Sequence, residues 1–289
     1  MSALEWLLEP WTFDFMVRAL MVTLAASTVG ALLSAWIIHI CWSLLGDAVS
    51  HAVLPGVVLA YIVGVPFALG ALASAGLALA GIRAVSSYSR IKEDAAIGIV
   101  FSSFFALGLV LISVTPSSVD LSHILFGKLL GISDTDFVQV MVLSVLAGAL
   151  LIARRRALTW FAFDPGHMAS LGRSPRRESA VLLGALALVA VASLQAVGIV
   201  LVIAVLITPG AIAHLMTNRM SVALWVAPVV SVVVTTVGLY CAYYLDVAPG
   251  GAIVLTYAAA FVVAFVAGRY GPVMRRMRTR RALISEGAV

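Results

Sequence analysis

The chain has 289 residues, of which 63% are hydrophobic and 11% are charged, and its formal net charge is +5. Soluble domains are about 45–50% apolar and about 25% charged, so a soluble fold of this composition would leave too much apolar surface in water. Disordered chains are excluded because they are polar and rich in charge. The two cysteines, Cys41 and Cys241, form neither a CxxC motif nor a disulfide framework. The composition therefore predicts an all-α polytopic membrane protein.

Hydropathy divides the chain into about nine membrane-spanning helices, since one span needs about 20 apolar residues. The apolar run 179–216 is split near Gln195–Gly198, because a single helix of that length would far exceed the bilayer. The shortest segments are also compatible with half-buried hairpin helices, so eight or ten spans remain open. The nine predicted spans are 15–38, 45–64, 66–82, 95–114, 137–153, 179–196, 197–216, 221–244 and 250–268.

Sixteen of the 18 Lys and Arg residues fall on one side of a nine-span arrangement. Cytoplasmic loops carry an excess of Lys and Arg, so we predict that the N-terminus is outside and the C-terminus is cytoplasmic. Residues 1–270 are predicted to form one transmembrane domain with a cytoplasmic loop at 157–177, and 271–289 a basic cytoplasmic tail. The sixteen residues are Arg83, Arg90, Lys92, Arg154, Arg155, Arg156, Arg173, Arg176, Arg177, Arg219, Arg269, Arg275, Arg276, Arg278, Arg280 and Arg281.

Several sequence motifs that carry chemistry are absent from the chain. It contains no GxxxxGK[ST] loop to cradle a nucleotide, so any ATP hydrolysis must take place on another chain. The HExxH and GxSxG motifs are absent as well, which disfavours an intramembrane protease. We therefore predict that the chain is not an enzyme and binds no cofactor of its own.

The most informative polar residues lie in the second predicted span. Asp47 and His51 are spaced i, i+4 and share one helical face. A charged side chain at the centre of a spanning helix costs about 2.5–3.5 kcal/mol on insertion scales and is a functional candidate by default. Pro55 has no N–H, so the His51 carbonyl loses its helical partner. These groups suit Mn²⁺, Fe²⁺ or Zn²⁺. Alternatively, both residues are ordinary members of a helix N-terminus at the membrane interface.

The run GDAVSHAVLPGVVLAYIVG (46–64) resembles the signature of the permeases of manganese/zinc/iron ABC importers. The resemblance continues through 92–113, 119–133 and 197–216. It implies that Asp47 and His51 are metal ligands and that the fold is the cobalamin-importer (type II) permease fold. It also implies three kinds of partner: a second copy of the chain, two copies of a cytoplasmic ATPase and an extracytoplasmic metal-binding protein. Where family members often carry Arg, this chain has His39–Trp42, which makes His39 a third potential ligand near the site.

The predicted cytoplasmic loop contains the signals of a short helix, Asp164–Leu171. Asp164 suits the cap, Pro165 suits the first position, and Gly172 can end the helix. Met168 and Leu171 would share an apolar face that suits docking into a partner's groove. The resemblance implies that this is the coupling helix that contacts the ATPase, and the alternative is an interfacial helix on lipid headgroups.

Weaker candidates lie elsewhere in the chain. Glu93 and Asp94 could cap the fourth span or contact the ATPase. Asp120 and His123, spaced i, i+3 on an outer loop, could guide or gate metal entry, or simply be solvated. Pro209, like Pro55, frees a helical carbonyl and predicts a kink that could serve as a gate.

The sequence as a whole predicts the permease subunit of an ATP-driven importer of divalent transition metals in the prokaryotic cell membrane. Manganese is favoured, with zinc and iron as alternatives. The metal would pass Asp47 and His51 by alternating access, driven by the separate ATPase. Membrane lipid is an expected contact, and nucleic acid is not. A self-contained secondary cation transporter is the alternative, although such proteins often show inverted repeats with matched broken helices and no second copy of the Asp47 stripe is evident.

Overall fold

A computed structural model of the chain describes residues 9–115 and 131–268. Within these ranges it contains a 3-10 turn at Glu9–Thr12, eleven helices and no strand. The helices are α1 (Asp14–His39), α2 (Ser43–Ala52), α3 (Leu54–Val63), α4 (Phe67–Tyr88), α5 (Glu93–Val114), α6 (Asp134–Phe163), α7 (Pro165–Ser170), α8 (Pro175–Val197), α9 (Ile199–Met216), α10 (Met220–Leu245) and α11 (Pro249–Ala267).

All nine predicted spans coincide with helix, which confirms the all-α membrane fold. Among the described residues, eight segments are long and apolar enough to cross a bilayer, and α2 and α3 together form one of them, Ser43–Val63. The remaining predicted span, 197–216, is α9, whose apolar stretch Leu201–Met216 is shorter than the others. The predicted basic tail, 271–289, lies outside the described residues.

The apolar run 179–216 divides at Gly198, as predicted, and the chain reverses direction there. Gly198 has φ +88°, a conformation that glycine adopts without strain. A Cβ placed on Gly30 of α1 would lie 2.4 Å from Val205 Cγ1 and 3.4 Å from Val189 Cγ1. Since these two valines lie on opposite sides of the Gly198 break, α8 and α9 form a tight hairpin against α1.

Contacts between helices fix their relative directions. Arg18 pairs with Asp134 near the starts of α1 and α6, and Trp36 Nε1 donates to Thr159 Oγ1 at 3.1 Å near their ends, so α1 and α6 are parallel. Gln195 Nε2, near the end of α8, donates to Gln139 Oε1, near the start of α6, at 3.1 Å. At the other ends of these helices Glu178 pairs with Arg154, so α8 is antiparallel to α6.

The ends of three parallel helices meet at one end of the bundle. The His39 ring, at the end of α1, lies 4.2 Å from the Phe163 ring and 5.8 Å from the His214 ring, measured between centroids. The loops 89–92, 164–174 and 217–219 lie at this same end, because successive spans alternate in direction. We call it the basic end, since it carries the basic residues of these loops.

Small residues allow close contact between the helix backbones of the bundle. A Cβ on Gly56 of α3 would lie 2.0 Å from the Gly70 carbonyl oxygen of α4, and a Cβ on Gly210 of α9 would lie 2.5 Å from the Ser34 carbonyl oxygen of α1. Such small-residue contacts are characteristic of membrane helices, where dispersion and close approach replace the hydrophobic drive between helices.

Candidate functional site

The side chains of Asp47 and His51 face each other on one side of α2. His51 Nε2 lies 3.4 Å from Asp47 Oδ1. Two ligands of one ion lie about 3.0–3.4 Å apart when each metal–ligand bond is about 2.1 Å long. The pair therefore has the separation that two ligands of one divalent ion require, which fits the predicted metal-binding role.

Aromatic rings of α5 flank the His51 imidazole. The Phe101 and Phe105 rings meet it edge-on, with centroids 5.4 Å and 5.3 Å away. His51 Nδ1 is buried and has no hydrogen-bond partner among the described residues, whereas Nε2 faces Asp47. The phenylalanines fix the ring plane so that Nε2 is directed at the carboxylate. The contact of these two rings with His51 was not predicted from the sequence, although their i, i+4 spacing indicates that they share one face of α5.

The pair supplies too few ligands to complete the coordination shell of a metal ion. Side-chain exposure is 39% for Asp47 and 22% for His51. Within the described ranges, no group of three or more His, Cys, Asp or Glu residues could hold a metal ion. Ser50, on the same helix, is buried, and its hydroxyl donates to the Gly46 carbonyl at 2.7 Å. Among the described residues, the pair therefore lacks a third His, Cys, Asp or Glu ligand.

The helix breaks at Val53, two residues beyond His51 and close to Pro55. α2 ends at Ala52, and α3 begins at Leu54 with Pro55 in its first turn. The Val53 N–H donates to the Val49 carbonyl at 3.2 Å, and the Ser74 hydroxyl donates to the Ala52 carbonyl at 2.6 Å. Pro55 has no N–H, so it cannot give the His51 carbonyl its usual helical hydrogen bond.

His39 belongs to no group of three or more His, Cys, Asp or Glu residues among the described ones, so its predicted role as a third ligand stays a prediction. Its ring lies among Phe163 and His214 at the basic end. The turn at residues 40–42 separates the end of α1, where His39 lies, from α2, which carries Asp47 and His51.

The predicted short helix in the loop after α6 is present as α7. The Asp164 side chain accepts a hydrogen bond from the His167 N–H at 2.8 Å, and Pro165 occupies the first position. Leu171 caps the C-terminus, and Gly172 follows it with φ +74°. These features confirm the helix signals that the sequence contains at Asp164, Pro165 and Gly172.

Of the two residues predicted to form an exposed apolar face on this helix, only one is exposed. Met168 is buried against the bundle, with 1% of its surface exposed, whereas Leu171 is 58% exposed. Met168 therefore anchors α7 to its own chain and is unavailable for docking. Only Leu171 remains as an apolar contact for a partner.

Two charged contacts brace the helices on either side of α7. Arg154 of α6 forms a bidentate ion pair with Glu178 of α8, which is 3% exposed. The guanidinium of Arg173 lies 4.9 Å from the ring centroid of Trp160, a cation–π geometry. Hydropathy did not indicate the Arg154–Glu178 pair, since the two residues are 24 positions apart in the chain.

Some of the weaker candidate residues lie within the described ranges, and others do not. Glu93 and Asp94 lie in the first turn of α5 at the basic end. Pro209 lies within a continuous α9 whose Gly210 abuts α1. Asp120 and His123 lie outside the described residues, so their predicted role stays a prediction.

Comparison with known proteins gives consistent matches over nearly the whole chain. The model of the ABC 3 transport family matches residues 12–268. The manganese transport system membrane protein MntB of Synechocystis sp. is 45% identical over 277 residues, which are 96% of this chain and 90% of that protein. The chelated iron transport system membrane protein YfeC of Yersinia pestis is 41% identical over 278 residues, covering 96% of this chain and 95% of that protein.

Solved structures agree with these matches. A chain in the structure of PsaBC from Streptococcus pneumoniae in complex with Fab is 36% identical and has a TM-score of 0.84, with 92% of this chain and 96% of that chain covered. A metal-chelate type ABC transporter in an inward-facing conformation has a TM-score of 0.65 at 17% identity, with 86% and 85% covered. At that identity the second likeness concerns the fold alone.

Proposed function

Because the chain belongs to the ABC 3 transport family, we propose that it is the permease subunit of an ATP-driven importer of divalent transition metals, with manganese as the favoured cargo. It is a multi-pass bacterial membrane protein with the type II permease fold that the sequence resemblance implied. The observation that carries the proposal is the facing pair of Asp47 and His51 in a broken spanning helix.

The chemistry of the pair supports a transition metal as cargo. A carboxylate oxygen with an imidazole nitrogen suits Mn²⁺, Fe²⁺ and Zn²⁺ better than Cu(I), which prefers sulfur. The names of the relatives include both manganese and iron systems. Manganese is favoured because its relative has the higher identity of these two, and zinc remains an alternative on the ligand chemistry.

The exposure of Asp47 supports a homodimer. A carboxylate that faced lipid at this depth would cost about 2.5–3.5 kcal/mol on insertion scales. A second copy of the chain that covers this face would remove Asp47 from lipid and bring a second Asp47 and His51 pair towards the same ion. The two half-sites would together supply four side-chain ligands.

The distribution of charge supports an arrangement with the basic end in the cytoplasm. There α7, with Leu171 exposed, would contact the partner ATPase. An extracytoplasmic binding protein would deliver the ion to the opposite end. ATP binding and hydrolysis on the partner would move α7 and switch the side from which Asp47 and His51 are accessible. The helix break beside Pro55, and the kink that the sequence predicts at Pro209, would serve as gates.

Metal accumulation in cells that lack their own importer tests this proposal. The chain is expressed with its ATPase and binding protein as wild type, Asp47→Asn or His51→Ala, and cellular Mn, Fe and Zn are measured by elemental mass spectrometry. Asp246→Asn, at the opposite end of the bundle, is the matched control. We expect wild type and the control to raise the cellular content of one metal. In both site variants this rise should be at least about tenfold smaller.

Three results would contradict parts of the proposal. Site variants that transport like wild type, at matched membrane levels, would show that Asp47 and His51 do not contact the cargo. Uptake that persists with a hydrolysis-deficient ATPase would favour the secondary cation transporter. An assembled complex that hydrolyses ATP but raises no metal would exclude these cargoes.

A further inference from the structure

A deep groove lies on the side of the bundle formed by α1, α6 and α10. Its volume is about 770 Å³, and its walls are mostly apolar side chains, including Leu32, Ile152 and Leu224. Helices α2 and α5, which carry Asp47, His51 and the two phenylalanines, contribute no residue to it. The groove is therefore separate from the candidate metal site.

The mouth of the groove lies where lipid headgroups are expected. α6 has 30 residues and is about 45 Å long, whereas the hydrocarbon core is about 30 Å thick. Arg155 and Arg156, which line the groove, lie about 32 Å along this helix from Asp134. Both arginines therefore lie beyond the apolar part of the span, at the basic end.

These two arginines differ from their neighbour Arg154. Arg154 is directed inward to Glu178. No carboxylate among the described residues lies within ion-pair distance of Arg155 or Arg156. A guanidinium fork matches phosphate oxygens geometrically and is weakly hydrated for a cation. Two such groups at the mouth of an apolar groove create a complementary site for an anion that carries a hydrocarbon chain.

Two tryptophans also line the groove. Trp160 of α6 and Trp225 of α10 are 46% and 72% exposed. Tryptophan is enriched at the membrane–water interface, where its ring packs among acyl chains while its N–H reaches polar groups. The groove therefore combines apolar walls, paired arginines and exposed tryptophans, the types of side chain that suit an amphiphile with an anionic headgroup.

We propose that this groove binds an anionic phospholipid, with the phosphate held by Arg155 and Arg156 and an acyl chain along α1, α6 and α10. A zwitterionic lipid has the same chains but cancels the negative charge of its phosphate with its own cation. The site therefore discriminates by headgroup charge. The proposal does not depend on the transported metal.

Native mass spectrometry of the purified full-length chain tests the site directly. Phosphatidylglycerol and phosphatidylcholine with identical acyl chains are added at equal concentration, and the retained lipid is counted per chain. We expect one phosphatidylglycerol per chain in preference to phosphatidylcholine. Arg155→Gln with Arg156→Gln should reduce this retention by about tenfold or more, because each basic residue near an anionic lipid contributes about 1 kcal/mol.

Two matched variants distinguish a specific lipid site from nonspecific electrostatic attraction, and a third variant tests for misfolding. Arg176→Gln with Arg177→Gln removes the same charge from the same end of the bundle outside the groove, and should retain phosphatidylglycerol like wild type. Thr28→Phe leaves the charge intact but places a ring among the groove walls, and should weaken retention. Arg155→Lys with Arg156→Lys should keep binding above the Gln pair if the loss came from charge and not from misfolding.

Three outcomes would overturn the proposal. Equal loss in the Arg176 and Arg177 control would show that lipid is attracted by net charge alone. Unchanged retention in the Gln pair would show that Arg155 and Arg156 do not hold the phosphate. Unchanged retention in Thr28→Phe would show that the groove holds no acyl chain.

Discussion

The half of the bundle that carries Asp47 and His51 is held together differently from the end that carries α7. In the half that carries Asp47 and His51, α3 and α4 meet through the backbones of Gly56 and Gly70. Around α7, side chains make directed bonds, including the Arg154–Glu178 ion pair and the Asp164 cap. Contacts between glycine backbones lack interlocking side chains, whereas a bidentate ion pair fixes two helices in one register.

This difference matches the two tasks that an importer divides between its regions. The ligands of a transported ion must release it, so an incomplete pair on helices that can rearrange is suitable. A segment that contacts an ATPase must transmit force, so it must move as one body with the helices on either side. We infer that α6, α7 and α8 act as a rigid unit and that the α2–α5 side is where access changes.

Replacing Gly56 gives the largest effect that we expect on stability. A Cβ there would lie 2.0 Å from the Gly70 carbonyl oxygen, so Gly56→Ala must separate α3 from α4. We expect a loss of about 3 kcal/mol or more and a Tm about 10 °C lower in detergent. Gly76→Ala, on the same α4, is the control, since nothing lies within 4 Å of its Cβ. It should be neutral or stabilising by up to about 1 kcal/mol.

A small effect of Gly56→Ala would contradict the comparison of the two halves. It would show that α3 and α4 can separate without cost, so that their glycine contact does not define the packing. Equal loss in both variants would instead indicate that α4 tolerates no added methyl group anywhere. Thermal unfolding followed by intrinsic fluorescence at matched detergent concentration distinguishes the two results.

The sequence predicted the elements of the fold better than the contacts between them. All nine segments predicted from hydropathy coincide with helices, although the apolar stretch of α9 is shorter than the eight candidate spans, and the positive φ of Gly198 is consistent with the predicted break. The sequence signals at Asp164 and Pro165 are local, so they were sufficient to predict α7. Met168 was misplaced because helical periodicity gives the face of a residue but not the neighbour that covers it.

In the candidate site, too, the sequence predicted the relation between residues on one helix but not the contacts between helices. Asp47 and His51 are neighbours on one helix, so their spacing alone predicts that they face each other. Phe101 and Phe105 come from α5, and their approach depends on how two helices pack. The position of His39 relative to the pair depends in the same way on the three-residue turn between α1 and α2, which spacing in the sequence does not describe.

Met168 and Leu171 should separate stability from coupling within one short segment. Met168→Ala opens a cavity under α7 and should cost about 3 kcal/mol of unfolding free energy. Leu171→Ala changes an exposed side chain and should alter stability by no more than about 0.5 kcal/mol. If Leu171 contacts the ATPase, its variant should lower metal taken up per ATP hydrolysed while the complex assembles normally.

Thermal unfolding and uptake per ATP in reconstituted vesicles measure the two quantities independently. A destabilised Leu171→Ala chain would show that this side chain packs against its own bundle. Normal uptake per ATP in the same variant would remove Leu171 from the coupling surface and leave α7 without an apolar contact for the partner.

The cap of α7 gives the smallest effect, and it is confined to that helix. α7 has six residues, too few to be stable alone, and Asp164 satisfies the His167 N–H at its start. Asp164→Ala should cost about 1 kcal/mol locally and raise amide exchange at residues 166–168 about fivefold, whereas Asp164→Ser should stay near wild type. Hydrogen exchange read by mass spectrometry measures this change. If exchange in Asp164→Ala is unchanged, the buried Met168 alone holds α7, and the bonds around this segment matter less than its apolar anchor.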